Sequence, residues 1–237
     1  MGDIVPGRGA GPAFACVIPA RDEAPTVAGV VRAALGCRYV TEVVVVDDGS
    51  TAGPGEAALA AGAKVVRRSQ PDGGKAGAMA AGVGATTAAG LLFCDADLIG
   101  ITSARLDALC RPVVDGRATL SVGWFDYGRW NPLVVRLAPT TGQRALPRWV
   151  WDSIPTPKRR GWQIEVMINE VVVEGRRPCS AQTMAGVTHR TKRDKFGRGE
   201  GRRRTWQMFR ECMSVLAVVR LRTYWFYVRS LTVERPT

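Results

Sequence analysis

Val43-Val44-Val45-Val46 is a run of four β-branched residues that offers no polar face. A strand with one side in water alternates apolar and polar side chains, so a run without alternation fits a strand covered on both faces. Phe14-Ala15-Cys16-Val17-Ile18, Lys64-Val65-Val66 and Gly90-Leu91-Leu92-Phe93-Cys94 read as further short strands. Helical stretches separate them. One covers Pro25–Leu35, with proline in the first turn, where its missing N–H costs nothing. Others cover Glu56–Ala61 and, behind Asp72-Gly73-Gly74-Lys75, Ala76–Ala89. Strands alternating with helices predict an α/β fold, a mostly parallel sheet with helices on both faces. Ligands of such sheets lie at the carboxyl ends of the strands. Three polar clusters fall there: Pro19-Ala20-Arg21-Asp22-Glu23, Asp47-Asp48-Gly49-Ser50-Thr51 and Asp95-Ala96-Asp97.

In the last cluster, residues i and i+2 of an extended chain share a side, so Asp95 and Asp97 can face one point past the strand. Two carboxylates held together repel unless a cation or proton sits between them, and a divalent ion with oxygen ligands is the usual solution. Asp-x-Asp alone fits a solvated turn equally well.

A formal net charge of +12 over 237 residues points to an anionic partner: a nucleotide, a phosphorylated acceptor, nucleic acid or an acidic membrane surface. The six cysteines form no Cys-x-x-Cys pair, which favours reduced core thiols over a zinc site. Residues 1–12 are Gly-rich without an apolar core, a disordered lead-in rather than a signal peptide. No apolar run approaches the ~20 residues of a membrane span. A cytoplasmic location is expected, with peripheral membrane contact left open.

The second half is less regular. It offers a strand over Ala118–Val122, a loop over Gly128–Pro139 and a helix over Ile164–Glu174, with Glu165 in its first turn. A strand over Cys179–Met184, a basic Gly-containing run from Gly186 to Arg204 and a helical Arg- and aromatic-rich stretch, Trp206–Val228, complete it. Two nucleotide-binding signatures are absent. The loop after the first strand has no G-x-G-x-x-G, and Gly74-Lys75 is followed by Ala76 rather than Ser or Thr.

Val17-Ile18-Pro19-Ala20-Arg21-Asp22-Glu23, Val46-Asp47-Asp48-Gly49-Ser50, Gly73-Gly74-Lys75-Ala76-Gly77 and Asp95-Ala96-Asp97 together resemble, in order and spacing, the donor half of GT-A glycosyltransferases of family 2. Gly142-Gln143-Arg144-Ala145-Leu146 looks like that family's Gly-x-Arg-Ala segment. Gly161-Trp162-Gln163-Ile164-Glu165-Val166 resembles the Gly-aromatic-x-x-Glu segment of its small soluble members and of glucosyl-3-phosphoglycerate synthases, and His189-Arg190 their late His-Arg pair. The resemblance covers about residues 13–193. It implies a GT-A fold, Rossmann-like and three-layered, over residues 13–205. Residues 13–123 form the donor half, 124–205 the acceptor half with the basic loop, and 206–237 a helical tail.

The resemblance implies a metal-dependent transfer of a hexosyl group from a nucleotide diphosphate sugar, UDP-linked by expectation, to a hydroxyl acceptor. Asp97 and His189, the one histidine, would hold Mn²⁺ or Mg²⁺, which suits carboxylate and imidazole donors. Asp95 would stand nearer the ribose or a metal-bound water, beside Ala96. Asp48 would accept from the base N–H, while Pro19, Ala20, Arg21 and Glu23 line the ribose and base edge. Gly74 and Lys75, at a helix start that favours anions, suit the phosphates or base. Gln143 and Arg144 would hold sugar hydroxyls or the acceptor. Glu165 would take the acceptor proton in an inverting enzyme or position the sugar in a retaining one, with Asp152 a weaker substitute base. Arg190 and Arg193 open a run that either folds over the pyrophosphate or stays a loose basic loop. The tail fits a membrane surface, a dimer contact or packing on the domain. A sugar-phosphate nucleotidyltransferase would need glycines after the first strand. A nucleic-acid-binding protein would need a continuous basic stripe, whereas here acids cluster at the strand ends. No nucleic acid partner is expected.

Overall fold

The computed structural model describes residues 13–51, 53–70, 72–131, 141–159, 161–190 and 221–234. In chain order the elements are β1 (Phe14–Ala20), α1 (Ala24–Leu35), β2 (Val40–Asp48), α2 (Pro54–Ala60), β3 (Lys64–Arg68), α3 (Gly74–Gly84), β4 (Gly90–Phe93), β5 (Leu98–Ile99), α4 (Ser103–Val114) and β6 (Leu120–Phe125). There follow β7 (Gln143–Pro147), α5 (Arg148–Asp152), α6 (Ile164–Glu174), β8 (Cys179–Met184), β9 (Thr188–His189), α7 (Leu221–Ser230) and β10 (Leu231–Glu234).

Among the described residues, eight strands form one sheet in the order β10-β8-β6-β7-β4-β1-β2-β3. Only β7 runs against its neighbours, β4 and β6; the other pairs are parallel. Period-2 alternation divides the apolar strands between two layers. Cys16, Ile18, Val43, Val45 and Leu92 face α1 and α4. Val17, Leu91 and Phe93 face the layer of α3, α5, α6 and α7, and Val44 and Val46 meet Ala78 of α3. This double coverage is what the valine run demanded.

Helix α6 and strand β8 fall where the sequence puts them. Helix α3 begins two residues earlier than expected and ends at Gly84 rather than Ala89. Carbonyls in its last turn and just past its end are taken by side chains from elsewhere. Arg148 donates to Val83 O and Thr86 O, and Lys64 Nζ to Ala85 O at 2.6 Å. The sequence reading contained neither β7 nor β10. In β7, Gln143 and Arg144 are both buried, so its polar start hides a central strand. Strand β10 pairs in parallel with β8, and Tyr227 of α7 is buried in the layer above, so residues 221–234 pack on the domain. Where the sequence suggested helix through Val228, the helix continues to Ser230 and gives way to this strand. The lead-in 1–12, most of the Arg190–Arg204 run and residues 206–220 lie outside the described residues. Among the described residues, Cys16, Cys37, Cys94, Cys110 and Cys179 are buried free thiols, and no helix is long and apolar enough to cross a membrane.

Gly82 lets α3 press onto the sheet, since a Cβ there would lie 2.4 Å from Val17 Cγ1 and 3.0 Å from Val46 Cγ2. Helix propensity alone would make Gly82→Ala stabilising by about 1 kcal/mol. The contact reverses the sign. The variant is expected to lose about 1–3 kcal/mol by urea denaturation, and a variant as stable as the parent would show that α3 does not bear on the strand.

Candidate functional site

The carboxyl edge of the sheet is built around the start of α3. Gly73 and Gly74 have φ of 70° and 57°, the left-handed region that a side chain enters only at a cost. They turn the chain sharply into the helix and set Lys75 facing inward. Gly77 serves a close approach instead, because a Cβ there would stand 2.3 Å from Asp72 O and 3.0 Å from Arg68 Nη2. Gly161 N–H donates to Gly73 O at 3.1 Å, which seats the segment before α6 against the same turn.

Lys75 Nζ donates to Asp95 Oδ1 and to Glu165 Oε1, both at 2.8 Å. It thereby ties the end of β4 to the first turn of α6. Burial works against its charge, but the pull of Asp95 and then Glu165, with their hydrogen bonds, outweighs it and holds the ammonium above the ordinary lysine range. Glu165, 3% exposed, also has Arg144 Nη2 at 3.8 Å from Oε2. Arg144 is fully buried, and its Nη1 donates to Glu165 O (3.0 Å) and Asn169 Oδ1 (2.7 Å), its Nε to Thr141 O (2.5 Å). Gln143 Nε2 donates to Asp95 Oδ2 at 3.0 Å. Gly142 must be glycine: a Cβ would sit 1.9 Å from Asp95 Oδ2. Buried charges are tolerable only when paired and hydrogen-bonded, and both oxygens of Asp95 and Oε1 of Glu165 accept such bonds.

A second cluster occupies the ends of β2 and β3. Arg68 Nη1 donates a short hydrogen bond to Asp48 Oδ1, while its Nη2 donates to Asp72 O (2.6 Å) and Asp72 Oδ1 (2.5 Å). Burial pushes the Asp48 carboxyl above its ordinary value, against the pull of Arg68 and Arg21. Asp22, at φ 56°, accepts from Thr51 N–H at Oδ1 and donates its own backbone N–H to Ser50 Oγ, so the loops after β1 and β2 are laced together. Asp47 accepts from Ser50 N–H and holds its own turn.

A third group lies on the small sheet. Strand β5 pairs antiparallel with β9, which sets His189 opposite Leu98, next in sequence to Asp97. Arg190 N–H donates to Asp97 O at 3.1 Å, and the His189 ring stacks at a tilt on Phe125, centroids 5.1 Å apart. Arg190 Nη1 stands 3.8 Å from Glu23 Oε2, joining this group to the loop after β1. Among the described residues no group of three or more His, Cys, Asp or Glu side chains could hold a metal. Asp97, in the turn just before β5, and His189, in β9, supply a carboxylate and an imidazole, a donor pair that fits Mn²⁺ or Mg²⁺ with oxygen ligands from elsewhere completing the shell.

Of the residues read from the sequence, Gly74, Lys75, Asp95, Gln143, Arg144 and Glu165 come together in one network. Asp97, His189, Arg190 and Glu23 form its neighbour, and Asp48 stands in the Arg68 cluster. Pro19 and Ala20 end β1 at the rim, and Arg21 is exposed beside them. Ala96 is buried in the core below the loop, so its part is packing. Asp152 pairs with Arg148 at 3.7 Å, on a helix that starts where Arg148 N–H meets Ala89 O at the amino end of β4. Arg193 lies outside the described residues. The sequence reading missed Arg68, Thr141 and Asn169, and named Asp72 and Gly142 only as parts of their segments, without a role. Arg68 ends a strand level with Asp48, a signal that was there to use; Asn169, one helical turn past Glu165, is given away only by the i, i+4 spacing.

The model of the family described as Glycosyl transferase family 2 matches residues 15–169. Among solved structures, glucosyl-3-phosphoglycerate synthase from Mycobacterium tuberculosis in complex with Mg²⁺ and UDP is similar, with a TM-score of 0.64 and 26% identity over 76% of this chain and 72% of that one. The same enzyme with Mn²⁺, UDP-glucose and phosphoglyceric acid gives a TM-score of 0.62 at 26% identity, covering 76% and 72%. With Mn²⁺, UDP-glucose and glycerol 3-phosphate it gives 0.61 at 26%, covering 76% and 73%. No curated protein sequence matches the chain.

Removing the shared cation takes from Asp95 and from buried Glu165 their nearest opposite charge, leaving Gln143 beside the first and Arg144 3.8 Å from the second. Lys75→Met is therefore expected to lose about 3–5 kcal/mol of unfolding free energy at pH 7. Urea denaturation at pH 7 measures the loss. Equal stability at pH 7 would show that the pairing carries no energetic weight.

Proposed function

The chain belongs to glycosyl transferase family 2 and is a glycosyltransferase with a GT-A fold, and we propose that it transfers a hexosyl group from a UDP-linked sugar to a hydroxyl acceptor, with Mn²⁺ or Mg²⁺ as cofactor. The observation that carries this reading is the placement of three polar groups along one sheet edge: Asp48 with Arg68, Lys75 with Asp95 and Glu165, and Asp97 beside the His189 strand. That order suits a nucleobase, a ribose diphosphate and a sugar laid across the strand ends.

In this reading Asp48 accepts from the base. The loop Pro19–Glu23 and Asp95 line the ribose, and the first-turn N–H groups of α3, with Arg190, face the diphosphate. Arg193 belongs to the same proposal. Asp97 and His189 would hold the cation, which when bound offsets the charge of the departing nucleoside diphosphate. Glu165 has two proposed roles, and its surroundings favour one. Oε1 already accepts from Lys75, and Arg144 faces Oε2 at 3.8 Å. A carboxylate held by Lys75 and faced by Arg144 is well fixed. It suits the orientation of sugar hydroxyls, with Gln143 and Arg144 holding the wall around it.

The similar enzyme from Mycobacterium tuberculosis was solved with phosphoglyceric acid and with glycerol 3-phosphate. With a net charge of +12, an anionic, phosphorylated hydroxyl acceptor is the proposed class for this chain too.

A screen of UDP-, GDP- and dTDP-sugars, with Mn²⁺ and with phosphorylated and unphosphorylated acceptors, tests the proposal by nucleoside diphosphate release. Turnover of a UDP-sugar is expected. Asp97→Ala and His189→Ala should each lower kcat/KM by about 100-fold or more. No turnover of any sugar nucleotide, or an Asp97→Ala enzyme as active as the parent, would refute it.

A further inference from the structure

We propose that Arg68 sets the nucleobase preference of the donor site by occupying one oxygen of Asp48, so that the pocket takes an imide pyrimidine, uracil or thymine, and rejects guanine. The inference rests on the nucleotide-sugar reading and adds to it a residue that neither the sequence motifs nor that reading assigned.

The chemistry turns on how many N–H groups a base shows to a carboxylate. Guanine presents N1–H and the exocyclic amine side by side, and a carboxylate with both oxygens free grips the two at once. Uracil and thymine present a single N–H between two carbonyls. Cytosine and adenine present a ring lone pair in its place, which a carboxylate repels. Asp48 is 6% exposed and stands at the carboxyl end of β2. Its Oδ1 is committed to Arg68 Nη1, which leaves Oδ2 for a ligand. One free acceptor matches one N–H.

Arg68 is itself fixed, so the occupied oxygen is not readily released. Its side chain is 12% exposed. It ends β3, where it pairs in register with Asp48 across the parallel ladder. Nη2 is held twice by Asp72, through the backbone carbonyl at 2.6 Å and the carboxylate at 2.5 Å. Gly77 leaves just enough room for that arrangement against the first turn of α3, since a Cβ would meet Asp72 O at 2.3 Å. Bound guanine would thus keep an N–H without its partner in a buried pocket, and sites built on hydrogen bonds discriminate strongly against such a mismatch.

The test is isothermal titration of UDP and GDP, each with Mn²⁺, into the parent protein, Arg68→Ala, Arg68→Lys and Asp72→Ala. Far-UV circular dichroism and melting temperature establish that each variant is folded. The parent should bind UDP more tightly than GDP by about tenfold or more. In Arg68→Ala both Asp48 oxygens become available, and the UDP-to-GDP preference should fall by about tenfold. Arg68→Lys keeps the charge but cannot bridge Asp48 and Asp72 with a fork, and should lose part of the preference. Asp72→Ala removes an exposed carboxylate that holds Arg68 Nη2 and should shift the ratio slightly in the same direction. A preference unchanged in the folded Arg68 variants, or a parent that prefers GDP, overturns the assignment of Arg68. A parent that binds neither nucleotide overturns the nucleotide-sugar reading beneath it, so the two failures are distinguishable.

Discussion

One ammonium group, Lys75 Nζ, sits between Asp95 and Glu165 at 2.8 Å from each. Much of the site follows from that placement. Asp95 arrives from the end of β4, Glu165 from the first turn of α6 and Lys75 from the first turn of α3, three segments far apart in sequence. Two carboxylates brought this close in a buried place repel unless a cation sits between them. Lys75 therefore joins the end of β4 to the start of α6 and fixes the orientation of both acids. The glycines around it serve the same end. Gly73 and Gly74 turn the chain, and Gly142 leaves room for the Asp95 carboxylate.

The fold beneath is a conventional answer to strands that are apolar on both faces. Parallel strands under two helical layers leave the carboxyl edge as the open rim, and the loops there carry the polar residues. The single antiparallel strand, β7, adds something specific. Inserted between β4 and β6, it delivers Gln143 to Asp95 and Arg144 to Glu165 from inside the sheet. Buried Arg144 then spends its donors on Thr141, Glu165 and Asn169, so this wall of the network is set by the core rather than by a surface loop. The small β5–β9 sheet does the corresponding work for Asp97 and His189.

The first half of the fold was legible because its signals are local. Val43–Val46 announces a doubly covered strand, and the acids that follow announce its carboxyl end. Parts of the second half were not, for a physical reason: a strand that begins Gln143-Arg144 violates the rule that buried strands are apolar, and only long-range partners make its burial tolerable. Strand β10 hid behind a helix whose Arg and aromatic residues invited a surface reading. Within the site, residue types and spacing located Lys75, Asp95 and Glu165 but not the pairing among them, because contacts between residues 90 apart leave no local pattern. Arg68 shows the opposite case. Its position at a strand end made it readable, and the acids nearby drew attention away from it.

The proposed function requires this edge to bind a nucleoside diphosphate together with a cation, with Asp97 and His189 as the proposed protein ligands. Titration of Mn²⁺ followed by electron paramagnetic resonance of the free ion, with and without UDP, measures this directly. The account predicts weak Mn²⁺ binding to the protein alone and binding at least about tenfold tighter once UDP is present, because the diphosphate oxygens complete the shell. Mn²⁺ affinity that UDP leaves unchanged would contradict it.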